Sequence, residues 1–141
     1  MHCGVLRADR VVVHKSRREM LLLHRDSVLR TYRIALGREP RGHKLREGDG
    51  RTPEGCYVID RRNPKSAYHL SLHISYPNTE DRARAQVLGL DPGGDIMIHG
   101  VKSGVRHPED DWTHGCIAVT DSEMDEIWEL VPVGTPIEIV A

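Results

Sequence analysis

Ile98-His99-Gly100 and, beyond a polar loop, Trp112-Thr113-His114-Gly115-Cys116-Ile117-Ala118-Val119 are the stretch on which the reading of this chain turns. Asp95-Ile96-Met97-Ile98 reads as a strand that delivers His99, and Cys116 begins a second apolar run. A thiol is mostly protonated at neutral pH and reacts as the thiolate. An imidazole within reach can take its proton. Gly115 keeps a Cβ out of the way where backbone must approach a substrate carbonyl. A thiol, a base and flexible backbone are the parts of an acyl-transfer site. His99 is the first candidate for the base and His114 the second, while a buried structural cysteine is the competing reading of Cys116.

Working outward, Arg10 to His14 and Glu19 to His24 read as strands joined by the polar turn Lys15 to Arg18, and Val28 to Leu36 reads as a third, closed by Gly37. Gly37 to Gly50 is a charged loop, and Gly55 to Ile59 is a further short strand. From Tyr68 to Tyr76, Leu70, Leu72 and Ile74 alternate with His69, Ser71, His73 and Ser75, which predicts a strand with one buried and one polar face. Asn78 to Leu88 has helical spacing, with Asn78 or Thr79 as N-cap and Gly89 beyond its end. Thr120-Asp121-Ser122-Glu123 is a capping box opening a helix through Met124, Ile127 and Trp128, ended by Pro132 and Gly134. Thr135 to Val140 is a last strand. Many short strands with two helices predict a mostly β, α+β fold, an open barrel or sandwich of mixed sheets.

The 141 residues fit one domain, 1–141, with a sizeable core. A net charge of −1 gives no electrostatic footprint for nucleic acid. The basic runs Arg17-Arg18, Arg38 to Arg46 and Arg61-Arg62 are interrupted by acids and read as solvated surface. No window reaches the roughly 20 apolar residues of a membrane span. The first residues lack a signal-peptide apolar stretch, so the chain is expected either to be cytosolic or to be exported by a segment trimmed away or supplied otherwise. Three cysteines leave an odd one. Cys3 and Cys56 could pair in an oxidising compartment, but the plainer reading makes Cys56 a small buried residue and Cys3 a terminal thiol.

The ordered set His-Gly, loop, Thr-His-Gly-Cys resembles the signature of the YkuD-type L,D-transpeptidases. Arg51-Thr52-Pro53-Glu54-Gly55-Cys56-Tyr57 resembles the upstream Thr-Pro-x-Gly turn and strand of that family, and the likeness extends over roughly residues 10 to 140. The tail from Cys116 to Trp128 is most similar to the YafK-like branch. The resemblance implies that family's open β-barrel or sandwich of mixed sheets. It also implies attack on the diaminopimelate carbonyl of peptidoglycan stem peptides through a thioester on Cys116, with His99 as general base oriented by the carbonyl of Gly100. His114, Thr113 and Gly115 would support the substrate, and Trp112, Tyr68, His69 and Tyr76 are candidates for its wall. No cofactor is implied. Carbapenem-type inhibitors, a wall-linked protein as a further partner, a periplasmic or envelope location and a part in cell-wall biogenesis and cell shape follow from the same resemblance.

Ala118 departs from the family, in which many members carry Arg or Asn two residues after the nucleophile. That leaves two acyl acceptors open: an amine, giving cross-links, or water, giving an amidase. A silent wall-binding module that retains the fold is the reading from another class. His69, His73, His99, His107 and His114 invite a metal reading. However, His69 and His73 lie about 13 Å apart if their segment is a strand, and the spacing matches no zinc pattern, so no metal is expected.

Overall fold

The computed structural model describes residues 6–101 and 110–141. Strands β1 (Arg10–His14), β2 (Glu19–His24) and β3 (Ser27–Arg33) form the antiparallel meander that their apolar runs predict. Val11, Val13, Met20 and Leu22 supply its fully buried face. The third strand is shorter than the expected Val28 to Leu36. After Arg33 the chain leaves the ladder and turns inward, so that Ile34, Ala35 and Leu36 are buried without a strand partner on β2.

Strand β4 (Gly55–Ser66) is longer than the expected Gly55 to Ile59 and pairs with β5 (His69–Ile74). Residues 60–66 are mostly exposed and do not alternate, so hydrophobic periodicity does not reveal them. The ladder slips between Ile59 and Arg61 and again between Asn63 and Ser66. Pro64 falls in the second irregularity, where a missing N–H is tolerated. The polar face of β5 is also less exposed than expected, since Ser71 is buried.

Helix α1 (Thr79–Leu88) starts at N-cap Asn78 in a complete capping box with Asp81 and stops at Gly89, which adopts the left-handed conformation. Helix α2 (Asp121–Leu130) starts at Thr120, whose hydroxyl accepts from Glu123 N–H while the Glu123 carboxylate accepts from Thr120 N–H. It buries Met124, Ile127 and Leu130. Trp128 is partly buried and lies under the Arg62 guanidinium, 3.8 Å from ring centroid to Cζ.

With β6 (Met97–His99), β7 (Ile117–Ala118) and β8 (Pro136–Val140), one sheet runs in the order β3-β2-β1-β8-β4-β5-β6-β7. The β1–β8 and β6–β7 pairs are parallel, and the other pairs are antiparallel. Ala35, just past β3, and Ala118, in β7, exchange backbone hydrogen bonds of 2.9 and 3.0 Å. The two ends of the strand order therefore meet, and the mixed sheet curls into a half-barrel around the apolar core. This mostly β, two-helix architecture is the one the sequence predicts.

Two basic side chains, Lys15 of the polar turn and Lys44 of a run read as solvated surface, are buried. Lys15 reaches the Thr52 carbonyl at 2.6 Å, the Gly42 carbonyl at 2.9 Å and the Glu54 carboxylate at 3.2 Å. Burial lowers its pKa, and the Glu54 carboxylate opposes that. Lys44 pairs with Asp49 at 3.0 Å. Both lysines tie down the loop after Gly37, whose fold a linear pattern does not disclose. Cys56 also departs from expectation: it is exposed, because Tyr57 and Ile59 take the inward positions of β4. Cys3 lies outside the described residues, and so does its pairing with Cys56.

Candidate active site

His99 ends β6 and Cys116 immediately precedes β7. In this parallel pair Ile98 lies opposite Ile117 and His99 opposite Ala118. Side chains two apart along a strand share a face, so Cys116, Ala118 and His99 stand on one face of the pair, with Cys116 diagonal to the imidazole.

The turn before Cys116 is held by Thr113. Its hydroxyl accepts from the Gly115 N–H at 3.1 Å and donates to the Cys116 carbonyl at 2.7 Å. Its own N–H donates to the Leu36 carbonyl and its carbonyl accepts from the Arg38 N–H, both at 3.1 Å. Gly115 has φ +136°, and a Cβ there would come within 2.7 Å of the Arg51 carbonyl oxygen. The Arg51-Thr52-Pro53 turn thus backs the cysteine turn directly, and the Thr52 hydroxyl accepts from Gly37 N–H alongside it. That packing gives a physical reason for two distant motifs to occur in one sequence.

His99 is buried, and its Nδ1 lies 2.6 Å from the Gly100 carbonyl. A carbonyl only accepts, so this contact fixes the neutral tautomer with the proton on Nδ1 and the lone pair on Nε2. Burial lowers the imidazole pKa, and the Gly100 hydrogen bond pushes it back up. Burial raises the Cys116 thiol pKa, and the Met97 amide opposes that rise. Both shifts favour the neutral forms, thiol and imidazole.

The thiol itself sits between backbone groups. It donates to the Asp95 carbonyl at 3.3 Å and accepts from the Met97 N–H at 3.4 Å. No thiol–imidazole hydrogen bond joins Cys116 to His99 among the described residues. These backbone partners were not foreseen, since carbonyls and amides leave no residue-type signal. The nearest sequence cue is the turn-forming run Asp91-Pro92-Gly93-Gly94-Asp95, which ends with Asp95 at φ +55°.

Two aromatic rings gather on His99. Tyr68 stacks on it at 4.6 Å between centroids, and Trp112 approaches at 5.7 Å. Tyr68 is 42% exposed, so one face of this aromatic box meets solvent. His114 is exposed. His69 is bound to Asp125 at 2.6 Å and His73 to Asp60 at 2.5 Å. Tyr76 is not a wall residue: it is buried in the core beside Tyr57 and His43 and donates its hydroxyl proton to the Pro92 carbonyl. His107 and most of the loop after Gly100 lie outside the described residues. Among the described residues no group of His, Cys, Asp and Glu side chains is arranged to hold a metal ion.

The curled, mixed-sheet half-barrel is the fold shared by solved L,D-transpeptidase structures. The YkuD L,D-transpeptidase catalytic domain family matches residues 8–139, and the chain belongs to that family. YafK of Escherichia coli (strain K12) is 34% identical over 106 residues, which are 74% of this chain and 37% of that protein. The helical cell shape determining protein Pgp2 from Campylobacter jejuni superimposes with a TM-score of 0.74 at 26% identity, covering 92% of this chain and 46% of that one. The L,D-transpeptidase LdtMt1 in complex with imipenem shares the fold, with a TM-score of 0.62 at 18% identity over 93% of this chain and 58% of that one. The chain thus spans little more than a third of the length of the curated relatives it matches.

Proposed function

We propose that this domain is a cysteine acyl-transferase of the cell envelope that acts on peptidoglycan stem peptides. The observation that carries this reading is the placement of Cys116 and His99 on one face of β6 and β7, with the imidazole tautomer set by Gly100. Cys116 attacks the carbonyl of diaminopimelate in a stem peptide. Its proton passes to Nε2 of His99, and the amine leaves with a proton returned from the imidazolium. For this the thiol turns from the Asp95 carbonyl toward the ring, or one water joins them. The Cys116 N–H has no hydrogen-bond partner among the described residues and is suited to the developing oxyanion. Thr113 and Gly115 hold that amide in place, Tyr68 and Trp112 wall the ring, and exposed His114 meets the substrate.

A second amine or water then resolves the thioester. Ala118 supports a share for water. It lies opposite His99 and is buried, where many relatives place a polar side chain able to grip a substrate. A periplasmic or envelope location follows from the family, and among the described residues no helix is long and apolar enough to cross a membrane. The test is mass spectrometry of muropeptides after incubation with the purified domain. Stem peptides cleaved or joined at diaminopimelate support the proposal. Unchanged muropeptides, with no adduct on Cys116 from an electrophilic acyl donor, favour a wall-binding module.

A further inference from the structure

One peptide unit, Gly100-Val101, is gripped from both sides. Its carbonyl accepts from His99 Nδ1–H at 2.6 Å, and its N–H donates to the Asp121 carboxylate at 2.8 Å. The C=O and N–H of a trans peptide point in opposite directions. The unit therefore lies between imidazole and carboxylate as a two-ended connector. We propose that Asp121 is a positioning residue for His99, acting through this peptide as the anionic third member of the site. The proposal rests on the assignment of His99 as general base.

Three observations support it. First, Asp121 opens α2 directly after its N-cap, so the helix start fixes where the carboxylate stands. Second, a Cβ on Gly100 would lie 2.3 Å from Asp121 Oδ1 and 3.0 Å from the Tyr68 carbonyl. Glycine after the histidine is thus what lets the carboxylate come this close. Third, His99 has no carboxylate partner of its own among its hydrogen bonds to described residues; its neighbours are the rings of Tyr68 and Trp112 and, across the β5–β6 ladder, Ser71. Asp125, also on α2, is hydrogen-bonded to His69.

Hydrogen bonds in series polarise one another. A negative charge on the N–H side makes the Gly100 carbonyl a stronger acceptor, which holds the ring and favours the imidazolium that forms when Cys116 loses its proton. A glycine carbonyl alone would do this more weakly.

The test is Asp121→Asn, which keeps an oxygen for the Val101 N–H and removes the charge. In this variant the His99 ring pKa, followed by NMR, should fall by about one unit. The limiting rate of Cys116 acylation by imipenem should drop about three- to tenfold with the half-saturating concentration unchanged, and the acidic limb of its pH profile should move to lower pH. Asp121→Asn with a wild-type ring pKa and pH profile overturns the proposal and leaves Asp121 a helix-end residue.

A readout in the unsubstituted protein guards against a variant that does not fold. The Val101 amide proton should shift downfield as His99 protonates, following the ring pKa, and an amide indifferent to that titration also overturns the proposal. If imipenem fails to acylate the unsubstituted protein, the nucleophile reading falls. The two NMR measurements still decide the role of Asp121.

Discussion

Among the described residues, Cys56 and Cys116 each lie in a neighbourhood that holds a histidine, and the proposed function assigns chemistry to only one of the two. Cys56 and His43 line a groove of about 740 Å³ with Glu54, Tyr57, Asp81 and Arg84. There His43 Nδ1 accepts from the Glu54 N–H, and Nε2–H donates to Asp81, both at 2.8 Å. Both ring nitrogens are engaged, so the histidine near the exposed thiol has no free nitrogen to take its proton. At the β6–β7 edge the thiol is less exposed and the histidine buried. Among the described residues the His99 ring hydrogen-bonds only to the Gly100 carbonyl, through Nδ1, which leaves Nε2 for a proton. On the proposed mechanism, reactivity is set by what the second ring nitrogen does, not by how open the thiol is.

The contrast is broken most completely at Cys116. Cys116→Ala should abolish turnover of stem peptides with the fold intact, since one small side chain replaces another, whereas Cys56→Ala should leave turnover unchanged. Residual activity in the first variant, assayed on purified muropeptides, removes the basis of the comparison. Next in size is the base. His99→Ala should slow acylation of Cys116 by about 10²- to 10⁴-fold, while His114→Ala should mainly raise the substrate concentration needed for saturation. Single-turnover kinetics separate the two, and the reverse ranking would exchange their roles.

A smaller effect is expected where the two neighbourhoods share a support. Lys15 holds the Thr52 carbonyl, beside the cysteine turn, and the Glu54 carboxylate, on the Cys56 groove. Lys15→Ala strands those acceptors and should destabilise the protein by about 3 kcal/mol, read from denaturant unfolding. A change under about 1 kcal/mol would mean that water replaces the ammonium without loss.

The pH dependence should be gentler still. With the His99 pKa lowered from 6.5 by burial, the ring stays neutral through pH 7 and accepts a proton only in more acidic solution. Acylation should therefore be level across neutrality and decline below pH 6.5. A decline that starts above neutrality would place an opposite, raised pKa on the base.

Much of this was legible in the sequence, for identifiable reasons. Val11-Val12-Val13 and Leu21-Leu22-Leu23 announce β1 and β2, and the boxes at Asn78–Asp81 and Thr120–Glu123 announce the helices, because those signals are local. The ordered motif singled out His99 and Cys116, and the fold places them at neighbouring strand ends. What escaped depends on the closed fold. The outer half of β4 carries Pro64 and no alternation, and β7 is two residues long and is defined by the pairing of Ile117 and Ala118 with Ile98 and His99. Lys15 becomes a buried cation only once the loop after Gly37 wraps it. The thiol's backbone partners at Asp95 and Met97, and the Asp121 grip on the Gly100-Val101 peptide, are likewise set by main chain that residue type does not encode.

The central claim is that Cys116, and not the more open Cys56, is the activated thiol. It is tested most directly by incubating the protein with imipenem, a strained acyl donor, and mapping the adduct by peptide mass spectrometry. The account predicts one drug-sized mass increment on the peptide carrying Cys116, lost in Cys116→Ala and strongly slowed in His99→Ala. An increment on Cys56 at a rate equal to or above that of Cys116 would contradict it.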